Sequence, residues 1–510
     1  MKQVFLASTL FELVCLAAGI DSGEYDRPAE PALMGTVGEA AEDVPPASER
    51  ILLVSNNAVV MELSDSFVET PGADSLVRRF DRVVDLNQAL APLHVHPSSW
   101  RPDHADLPIV EDYLRRLWGL ENEDVELILE SPQVNPAIAL GRVFSRATIR
   151  VHADGLMSFG PTRNQIPLTN GQRMSVLHYL PLVPRISPRL LSEFDIVHRP
   201  LTFEAFTAIV REVGEHSAEA LESELGGVLK AGESGGSASG ESGSGGSGSR
   251  TSSSAGETLP WALVVGQYLS ALGLISSEEE TQLHVEMIEG AAARGLRSVV
   301  FKPHPAAPPS QTGPLFEAAE RLGVELHILT LPVMAEVIID RLRPDLIVGG
   351  FSTALMTARE IYRIPALSVG ADLLLDAITP YQNSNRIPLT VIAEICDGSI
   401  PAQDDAFDTV QLERLLAAVT YCMAPGLSHD LRGQASAFLS EVFDEDGRGN
   451  PAAAQSYRRY FKRKRLTALD LPGSLSKVFA PRRVVKRTGT LAIKAIVRKQ
   501  KRIMNRIHSR

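Results

Sequence analysis

A run of glycine and serine near the middle of the chain sets the strongest limit on how these 510 residues can fold. Residues 231–256 read AGESGGSASGESGSGGSGSRTSSSAG, with almost no apolar side chain. Such a segment cannot bury enough apolar surface to offset the entropy of ordering it, so we predict a disordered linker over 229–258. The chain is also longer than one hydrophobic core usually supports. The sequence therefore predicts two domains, over 1–228 and 259–445, and a tail over 446–510.

Both predicted domains alternate short apolar runs with helical patterns. The apolar runs predict buried strands, which lie at 3–7, 50–57, 82–86, 125–130 and 147–155 in the first domain and at 261–269, 297–305, 324–329, 345–350 and 364–370 in the second. Two overlapping capping boxes, Ser276 with Glu279 and Ser277 with Glu280, begin the clearest helix. The alternation predicts an α/β fold of two Rossmann-type domains that face a central cleft, with ligands beyond the carboxyl ends of the strands.

The first twenty residues, MKQVFLASTLFELVCLAAGI, fit either a signal peptide or the first strand and helix of an α/β domain. Glu12 interrupts the apolar run, and Ser8 and Thr9 suit a helix N-cap, so we favour the strand and helix. Only three cysteines occur, widely spaced, which predicts neither disulfides nor a metal site and fits a reducing, cytoplasmic location. We find no run of about 20 apolar residues that would predict a transmembrane helix.

The stretch VVFKPHP (299–305) runs a predicted strand into a histidine held between two prolines. Lys302 and His304 fall just beyond the carboxyl end of the strand, and Pro303 and Pro305 favour extended backbone around them. An imidazole, with an ordinary pKa near ~6.5, can donate a proton to a departing phosphate. A structural turn is the alternative for a lone histidine, but the prolines and the strand end favour a functional role.

A second stretch, IVGGFSTAL (347–355), ends a strand in paired glycines and then begins a helix at two hydroxyl residues. The predicted helix runs to about Tyr362. Its free N–H groups and dipole favour an anion, and Gly350 lets a phosphate approach the backbone. An N-cap alone would explain Ser352 but not the glycine pair, so we predict that Ser352 and Thr353 bind phosphate.

A third stretch, HADG (152–155), follows a strand of the first domain. Asp154 there could accept the proton of an acceptor hydroxyl, although Asp–Gly is also an ordinary turn. In their order and placement, HADG, KPHP and GGFST resemble the acidic–acidic–Gly, HP and Ser–Ser/Thr motifs of the bacterial polysialyltransferases and lipooligosaccharide sialyltransferases. The resemblance spans most of residues 1–445 apart from the linker. One departure is that Ala153 stands at the first acidic position.

The resemblance implies a GT-B-like fold and an α-2,8-polysialyltransferase-like activity. It implies inverting, metal-independent transfer of sialic acid from CMP-sialic acid to a glycan hydroxyl of a surface polysaccharide or glycolipid, with no other cofactor. By motif, Asp154 would be the general base and His304 the general acid or phosphate-stabilising group, while Ser352 and Thr353 would bind the CMP phosphate. Two alternatives stay open. One is the same fold with another nucleotide sugar, as in a UDP-sugar transferase or an epimerase, and the other is a non-catalytic, membrane-associated glycan-binding protein.

Several further residues are predicted to bind substrate or nucleotide. Gly266 and Gln267 end the first strand of the second domain, Glu336 could accept ribose hydroxyls, and Arg163 could pair with the sialic acid carboxylate. A surface position is the commoner fate of such an arginine. The predicted binding set is therefore Ser352, Thr353, Lys302, Pro305, Gly350, Gly266, Gln267, Glu336 and Arg163, with no metal ligand.

The net charge of −12 conceals a strong asymmetry. Residues 457–510 hold 18 of the 50 basic residues and one of the 62 acidic ones, Asp470. Toward the end, Ile493, Ile496, Val497, Ile503 and Ile507 share roughly one helical face, which predicts contact with an anionic membrane surface, at the inner face of the plasma membrane. Docking on the protein's own acidic body is an alternative. Nucleic-acid binding is a rival, but we predict against it because the body is acidic and shows no nucleic-acid module.

Overall fold

The computed structural model describes residues 1–27, 48–56, 66–153, 155–230, 260–304, 312–396, 408–443 and 456–474. The predicted linker from residue 231 on, Asp154, Pro305 and the amphipathic stretch near the C-terminus lie outside the described residues.

Seven parallel strands form the first sheet, in the order β3-β2-β1-β4-β5-β6-β7. They are β1 (Lys2–Ala7), β2 (Glu49–Val54), β3 (Arg82–Asp85), β4 (Val125–Glu130), β5 (Thr148–Ala153), β6 (Met174–Tyr179) and β7 (Val197–Pro200). The first five match predicted strands. The apolar pattern did not predict β6 or β7, and β7 is a four-residue edge strand in which no residue is fully buried. Strand order reverses between β1 and β4, which makes their carboxyl ends the switch point of this sheet.

Helices cover both faces of the first sheet. They are α1 (Leu10–Asp21), α2 (Ala73–Val77), α3 (Leu86–Leu90), α4 (Leu107–Leu117), α5 (Ala137–Val143), α6 (Leu168–Gly171) and α7 (Phe203–Lys230). Alternate residues of β1 serve opposite faces: Phe5 belongs to the apolar cluster that contains α1, whereas Leu6 belongs to the one that contains α4. A capping box of Thr9 and Glu12 begins α1, so the N-terminal residues fold as the strand and helix that we favoured.

The second sheet has five parallel strands in the order β10-β9-β8-β11-β12. They are β8 (Trp261–Val265), β9 (Ser298–Lys302), β10 (Glu325–Ile328), β11 (Leu346–Gly349) and β12 (Ala366–Ser368), and all five were predicted. The helices are α8 (Ser277–Ala293), α9 (Gly313–Leu322), α10 (Ala335–Leu342), α11 (Thr353–Met356), α12 (Ala371–Ala377), α13 (Arg386–Ile395), α14 (Thr409–Met423), α15 (Arg432–Val442) and α16 (Arg463–Leu469). Two parallel sheets with helices on their faces confirm the predicted α/β, GT-B-like fold class.

The long helix α7 ties the two domains together. Gly214 on α7 has no side chain where Arg341 of α10 packs, and an added Cβ would lie 3.2 Å from the arginine. Farther along α7, the Glu224 carboxylate accepts hydrogen bonds from the backbone N–H and the hydroxyl of Thr330, at 2.6 and 2.9 Å. These contacts fix how the carboxyl edges of the two sheets face each other.

The described part of the tail, residues 456–474, folds against the second domain. Tyr460, Phe461 and Leu466 are buried in the large apolar cluster that includes the core of that domain. The Tyr381 hydroxyl donates to the Tyr460 carbonyl at 2.8 Å. This part of the basic segment therefore docks on the protein's own body. Across the described ranges, no helix combines the length and the apolar composition that crossing a membrane requires.

One face of the first sheet carries a row of ionisable side chains, of which three are buried and the last, on the edge strand, is partly exposed. Glu130, His152, His178 and Arg199 are register partners on four neighbouring strands, β4 to β7. The ring of His152 bonds to the Leu6 carbonyl at 2.9 Å, and burial lowers its pKa to about 4. Burial lowers the pKa of His178 to about 3, with the positive charge of nearby arginines adding to the effect. Both imidazoles are therefore neutral at pH 7.

We predict that this row makes the fold acid-sensitive. Between pH 7 and 5 an unfolded histidine, with a pKa near ~6.5, takes up a proton that native His178 does not, so acid favours unfolding by about 2 kcal/mol per buried histidine. In His178→Phe the loss in free energy of unfolding between pH 7 and 5 should shrink by about that amount, as measured by urea denaturation at both pH values. The exposed His104→Phe serves as the control, and equal pH dependence in both variants would contradict the assignment.

Candidate functional site

Strand β9 delivers two predicted site residues to the carboxyl edge of the second sheet. Lys302 ends the strand half-buried, and His304 is exposed two residues farther on, with its ring centroid 6.3 Å from that of Tyr268. Surrounding protein atoms lower the pKa of His304, and the positive charge of Lys302 lowers it further, while Glu280 opposes both effects. His304 is therefore a neutral imidazole at pH 7, able to donate one hydrogen bond and accept another.

Lys302 and Glu336 form an electrostatic pair behind this edge. Burial lowers the pKa of the Lys302 ammonium and raises that of the Glu336 carboxyl, and each charge opposes the effect of burial on the other. Glu336 lies in the first turn of α10 and accepts a hydrogen bond from the Thr357 hydroxyl at 3.1 Å. These two predicted residues thus lie within electrostatic range of each other, and the lysine is the more exposed of the two.

The loop after β8 holds the next two predicted residues. The Gly266 N–H donates to the Lys302 carbonyl at 2.9 Å, and a Cβ at Gly266 would lie 2.8 Å from the Phe301 ring, so this position requires glycine. The side-chain oxygen of Gln267 packs against the Cα of Gly350 and accepts a long hydrogen bond, 3.4 Å, from the Phe351 N–H. The loop therefore joins the end of β8 to the glycine pair that ends β11.

Helix α8 supports this loop through two buried side chains that the sequence analysis did not identify as functional. His284 Nε2 accepts a hydrogen bond from the Gln267 N–H at 3.1 Å. One turn earlier, the Glu280 carboxylate accepts bonds from the Leu269 N–H and, at 2.6 Å, from the Ser270 hydroxyl. We had interpreted Glu280 as part of a capping box. The first box, Ser276 with Glu279, does cap α8, which leaves Glu280 free to turn inward.

The GGFST stretch forms a tight turn into a helix. The Ser352 hydroxyl caps α11 by accepting a hydrogen bond from the Ala354 N–H at 3.3 Å, and it still has its own proton to donate. Ser368, which ends β12, holds the Gly350 carbonyl with a 2.8 Å hydrogen bond. After α11 the chain continues as a π-helical turn to Ile361, close to the predicted end of the helix. The capping role of Ser352 is therefore real, and it leaves the hydroxyl proton available to a phosphate.

The two domains meet at the HADG and GGFST stretches. A Cβ added to Gly155 would lie 3.0 Å from the Thr353 hydroxyl oxygen, so no larger residue fits there without displacing the threonine. Ala153 ends β5, and the predicted base, Asp154, stands in the sequence between it and Gly155. The structure thus brings the segments flanking the predicted base to one of the two predicted phosphate-binding hydroxyls.

Arg163 is the predicted binding residue for which the structure shows no link to this edge. Its side chain is exposed, and its backbone N–H donates to the side-chain oxygen of Gln133 at 2.6 Å. Its proposed pairing with a sugar carboxylate stays a prediction. Over the ranges that the structure describes, no three His, Cys, Asp or Glu residues lie close enough to share a metal ion.

Two Rossmann-type domains whose carboxyl-edge loops meet form the GT-B architecture, which is typical of glycosyltransferases that use nucleotide sugars. Residues 3–371 match the family model described as Alpha-2,8-polysialyltransferase. The chain therefore belongs to the alpha-2,8-polysialyltransferase family, which confirms the resemblance predicted from the three motifs and identifies the chain as a glycosyltransferase of the sialyltransferase class.

Similar solved structures include MurG from Acinetobacter baumannii, with 10% identity, coverage of 90% of this chain and 98% of that one, and a TM-score of 0.34. A GT-B-domain structure of a sialyltransferase from Photobacterium damselae shows 12% identity, coverage of 77% and 96%, and a TM-score of 0.35. A UDP-glucosyltransferase from Polygonum tinctorium shows 12% identity, coverage of 90% and 98%, and a TM-score of 0.33. Among curated proteins, none matches this chain. Because these TM-scores are low, we base the fold assignment on the strand order of the two sheets and not on these structures.

We predict that Gly350→Ala will weaken nucleotide binding about tenfold, a cost near 1.4 kcal/mol. The added methyl would overlap the side-chain oxygen of Gln267 and push it off the Phe351 N–H. Gly349→Ala is the matched control, because there the nearest atom to the new methyl is the Val265 carbonyl oxygen at 3.6 Å, an ordinary contact. Titration calorimetry with CMP measures both affinities, and equal losses would argue against a nucleotide at this turn.

Proposed function

We propose that this protein is an inverting sialyltransferase that moves sialic acid from CMP-sialic acid to a glycan hydroxyl without a metal ion or another cofactor. Asp154 would be the general base of the reaction. His304, Ser352 and Thr353 would stabilise the CMP phosphate as it leaves. Membership of the polysialyltransferase family supports the sugar and its donor, and the contact between the two domains supports the division of roles.

The reaction requires a base beside the acceptor hydroxyl and hydrogen-bond donors beside the leaving phosphate. The acceptor oxygen bonds to the anomeric carbon and gives its proton to the Asp154 carboxylate, while the bond from that carbon to the phosphate oxygen breaks and its electrons stay on CMP. A carboxylate from the first domain and hydrogen-bond donors from the second meet these two demands. Inversion follows because attack and departure occur on opposite faces of one carbon.

His304 suits a leaving phosphate because of its protonation state. Its lowered pKa leaves a neutral imidazole, which can donate a hydrogen bond to a phosphate oxygen at pH 7. As the bond breaks, negative charge grows on the phosphate and favours a proton on the ring. The Lys302 charge, half-buried beside it, supplies further positive potential where the phosphate would lie.

The single observation that carries this proposal is the close approach of Gly155 to Thr353. The two residues lie in different domains and nearly 200 positions apart, and each belongs to a motif identified independently. A non-catalytic glycan-binding protein has no need to hold the segment that carries a candidate base against a phosphate-binding hydroxyl.

We predict distinct losses for the two catalytic candidates. Asp154→Asn should lower the rate of transfer by at least about 100-fold with CMP affinity unchanged, because the base does not contact the nucleotide. His304→Ala should lower both turnover and CMP affinity, because it removes a phosphate contact. CMP release from CMP-sialic acid with a panel of glycan acceptors measures turnover, and calorimetry measures affinity.

The control for these variants is Asp112→Asn, an exposed aspartate on α4, which should retain full activity. Full activity in either catalytic variant would remove that residue from the mechanism. Thermal shifts with CMP, UMP and UDP test the donor: stabilisation by UDP rather than CMP would favour another nucleotide sugar, and no shift would favour a binding protein. Activity that disappears with EDTA and returns with a divalent cation would contradict metal independence.

We also propose that the protein works in the cytoplasm, at the inner face of the plasma membrane, through its basic C-terminal residues. Removing residues 475–510 should reduce sedimentation of the protein with vesicles that contain anionic lipid. Added salt should weaken the binding of the full chain to these vesicles. The cut falls at residue 475 because Tyr460 and Leu466 belong to the core. Equal sedimentation of the full and shortened chains would reject this location for the membrane contact.

A further inference from the structure

The docked part of the basic segment lines a cavity of about 600 Å³ on the second domain. One wall comes from α12 and the turn after it, and the other comes from residues 458–464. Twelve residues line it: Asp372, Asp376, Ile378, Thr379, Tyr381, Arg386, Arg458, Arg459, Phe461, Lys462, Arg463 and Lys464. Six of them are cationic and two are acidic.

The cavity is separate from the proposed donor site. Leu374, on the inner side of α12, lies 3.4 Å from where a Cβ of Gly350 would be, whereas Asp372 and Asp376 of the same helix line the cavity. The helix therefore stands between the cavity and the glycine pair, with a thickness of roughly 10 Å including its side chains.

Two of the six cations are neutralised by the protein itself. The Lys462 ammonium contacts the Asp376 carboxylate. The Arg459 guanidinium lies 3.3 Å from the Glu394 carboxylate and 3.5 Å from that of Asp372. These pairs are what simple docking of a basic segment on an acidic surface would produce.

Four cations remain. Within the described ranges, Arg386, Arg458, Arg463 and Lys464 have no carboxylate within 4 Å. Arg458 lies over the Phe443 ring at 5.4 Å, and all but Arg386 are exposed. Like charges held around one cavity repel one another unless an anion binds among them.

Arg386 makes the strongest case for an anion. It is fully buried, stacks 4.1 Å from the Tyr381 ring centroid, and donates to the carbonyls of Tyr381 and Ile378, both at 2.9 Å. With a longer bond to the Leu375 carbonyl, at 3.5 Å, these bonds use three of the five guanidinium N–H groups, and they leave the charge without an anionic contact in the described structure. Burying an unpaired cation is costly, and an anion in the cavity that it lines would offset part of that cost.

The backbone that carries these cations is held in place before any ligand arrives. Tyr460 and Phe461 are buried, the Tyr460 hydroxyl contacts the Glu394 carboxylate, and Arg465 donates to the Cys422 carbonyl at 2.6 Å. The backbone of residues 458–464 is therefore already folded, so binding an anion there costs little entropy for ordering the chain.

We propose that this cavity is a binding site for a phosphate group, carried either by a lipid headgroup or by a soluble phosphate. A phosphate offers up to two negative charges and at least two free oxygens, which suits four unpaired cations better than a single carboxylate does. The site is independent of the donor site and of the proposed transfer reaction.

The test compares two double variants of the full chain with equal charge change. R463Q/K464Q removes two exposed cations from the cavity wall, and R78Q/R116Q removes two exposed arginines from the first domain. Calorimetry with inorganic phosphate and with pyrophosphate at pH 7 measures the soluble ligands. Sedimentation with phosphatidylcholine vesicles, with and without phosphatidic acid, measures the lipid. Thermal midpoints of the variants verify that both fold.

We expect R463Q/K464Q, and not R78Q/R116Q, to weaken phosphate binding by about tenfold or more. A matching loss of sedimentation with phosphatidic acid vesicles would identify a lipid headgroup as the source, and unchanged sedimentation would identify a soluble phosphate. If R463Q/K464Q lost only vesicle binding, with soluble phosphate binding unchanged, the result would also support the site, as one specific for lipid headgroups.

Equal behaviour of the two variants in both assays would overturn the proposal. So would tighter binding of an oligosaccharide that carries carboxylates but no phosphate, because the cavity would then take a glycan. Neither result bears on Asp154 or His304, so this proposal and the proposed function can fail separately.

Discussion

The approach of Gly155 to Thr353 is the contact on which the candidate site depends, because it brings together loops that follow strands of two different sheets. A parallel sheet gathers the carboxyl ends of its strands at one edge, and loops at that edge carry the polar groups. Each sheet alone carries only part of the predicted site. Helix α7 keeps the edges in register by packing on α10, and the missing side chain at position 155 lets the halves close. Any larger residue there would require the Thr353 side chain to shift.

Burial, more than pairing, determines the protonation of the titratable groups at the second edge. Surrounding protein atoms and the Lys302 charge lower the pKa of the exposed His304. Burial works against charge on Lys302 and Glu336, and the attraction between those two charges opposes that effect. Behind them, His284 and Glu280 hold the loop that carries Gln267. This part of the predicted site thus rests on a layer of buried polar residues, which limits how far the loop can move.

The sequence predicted those parts of the fold that depend on local pattern. All five strands of the second sheet and five of the seven in the first appear as apolar runs, and the Thr9 and Ser276 caps follow from residue type and spacing. Strand β7 was missed because it is short and carries polar residues at an edge. The row of Glu130, His152, His178 and Arg199 could not be predicted, since it depends on the register between strands far apart in the chain. The inward turn of Glu280 also went unpredicted, because two capping boxes overlapped and only packing selects between them.

The docked basic segment changes where the second folded unit ends. Phe461, Leu466 and Leu471 are buried within it, and Arg465 bonds to a carbonyl at the end of α14. A chain cut before residue 456 would lose these contacts and expose an apolar groove to solvent. Such an exposed apolar surface favours aggregation during expression. A chain that ends near residue 474 keeps the groove filled, and it is the shorter form to choose for crystallisation.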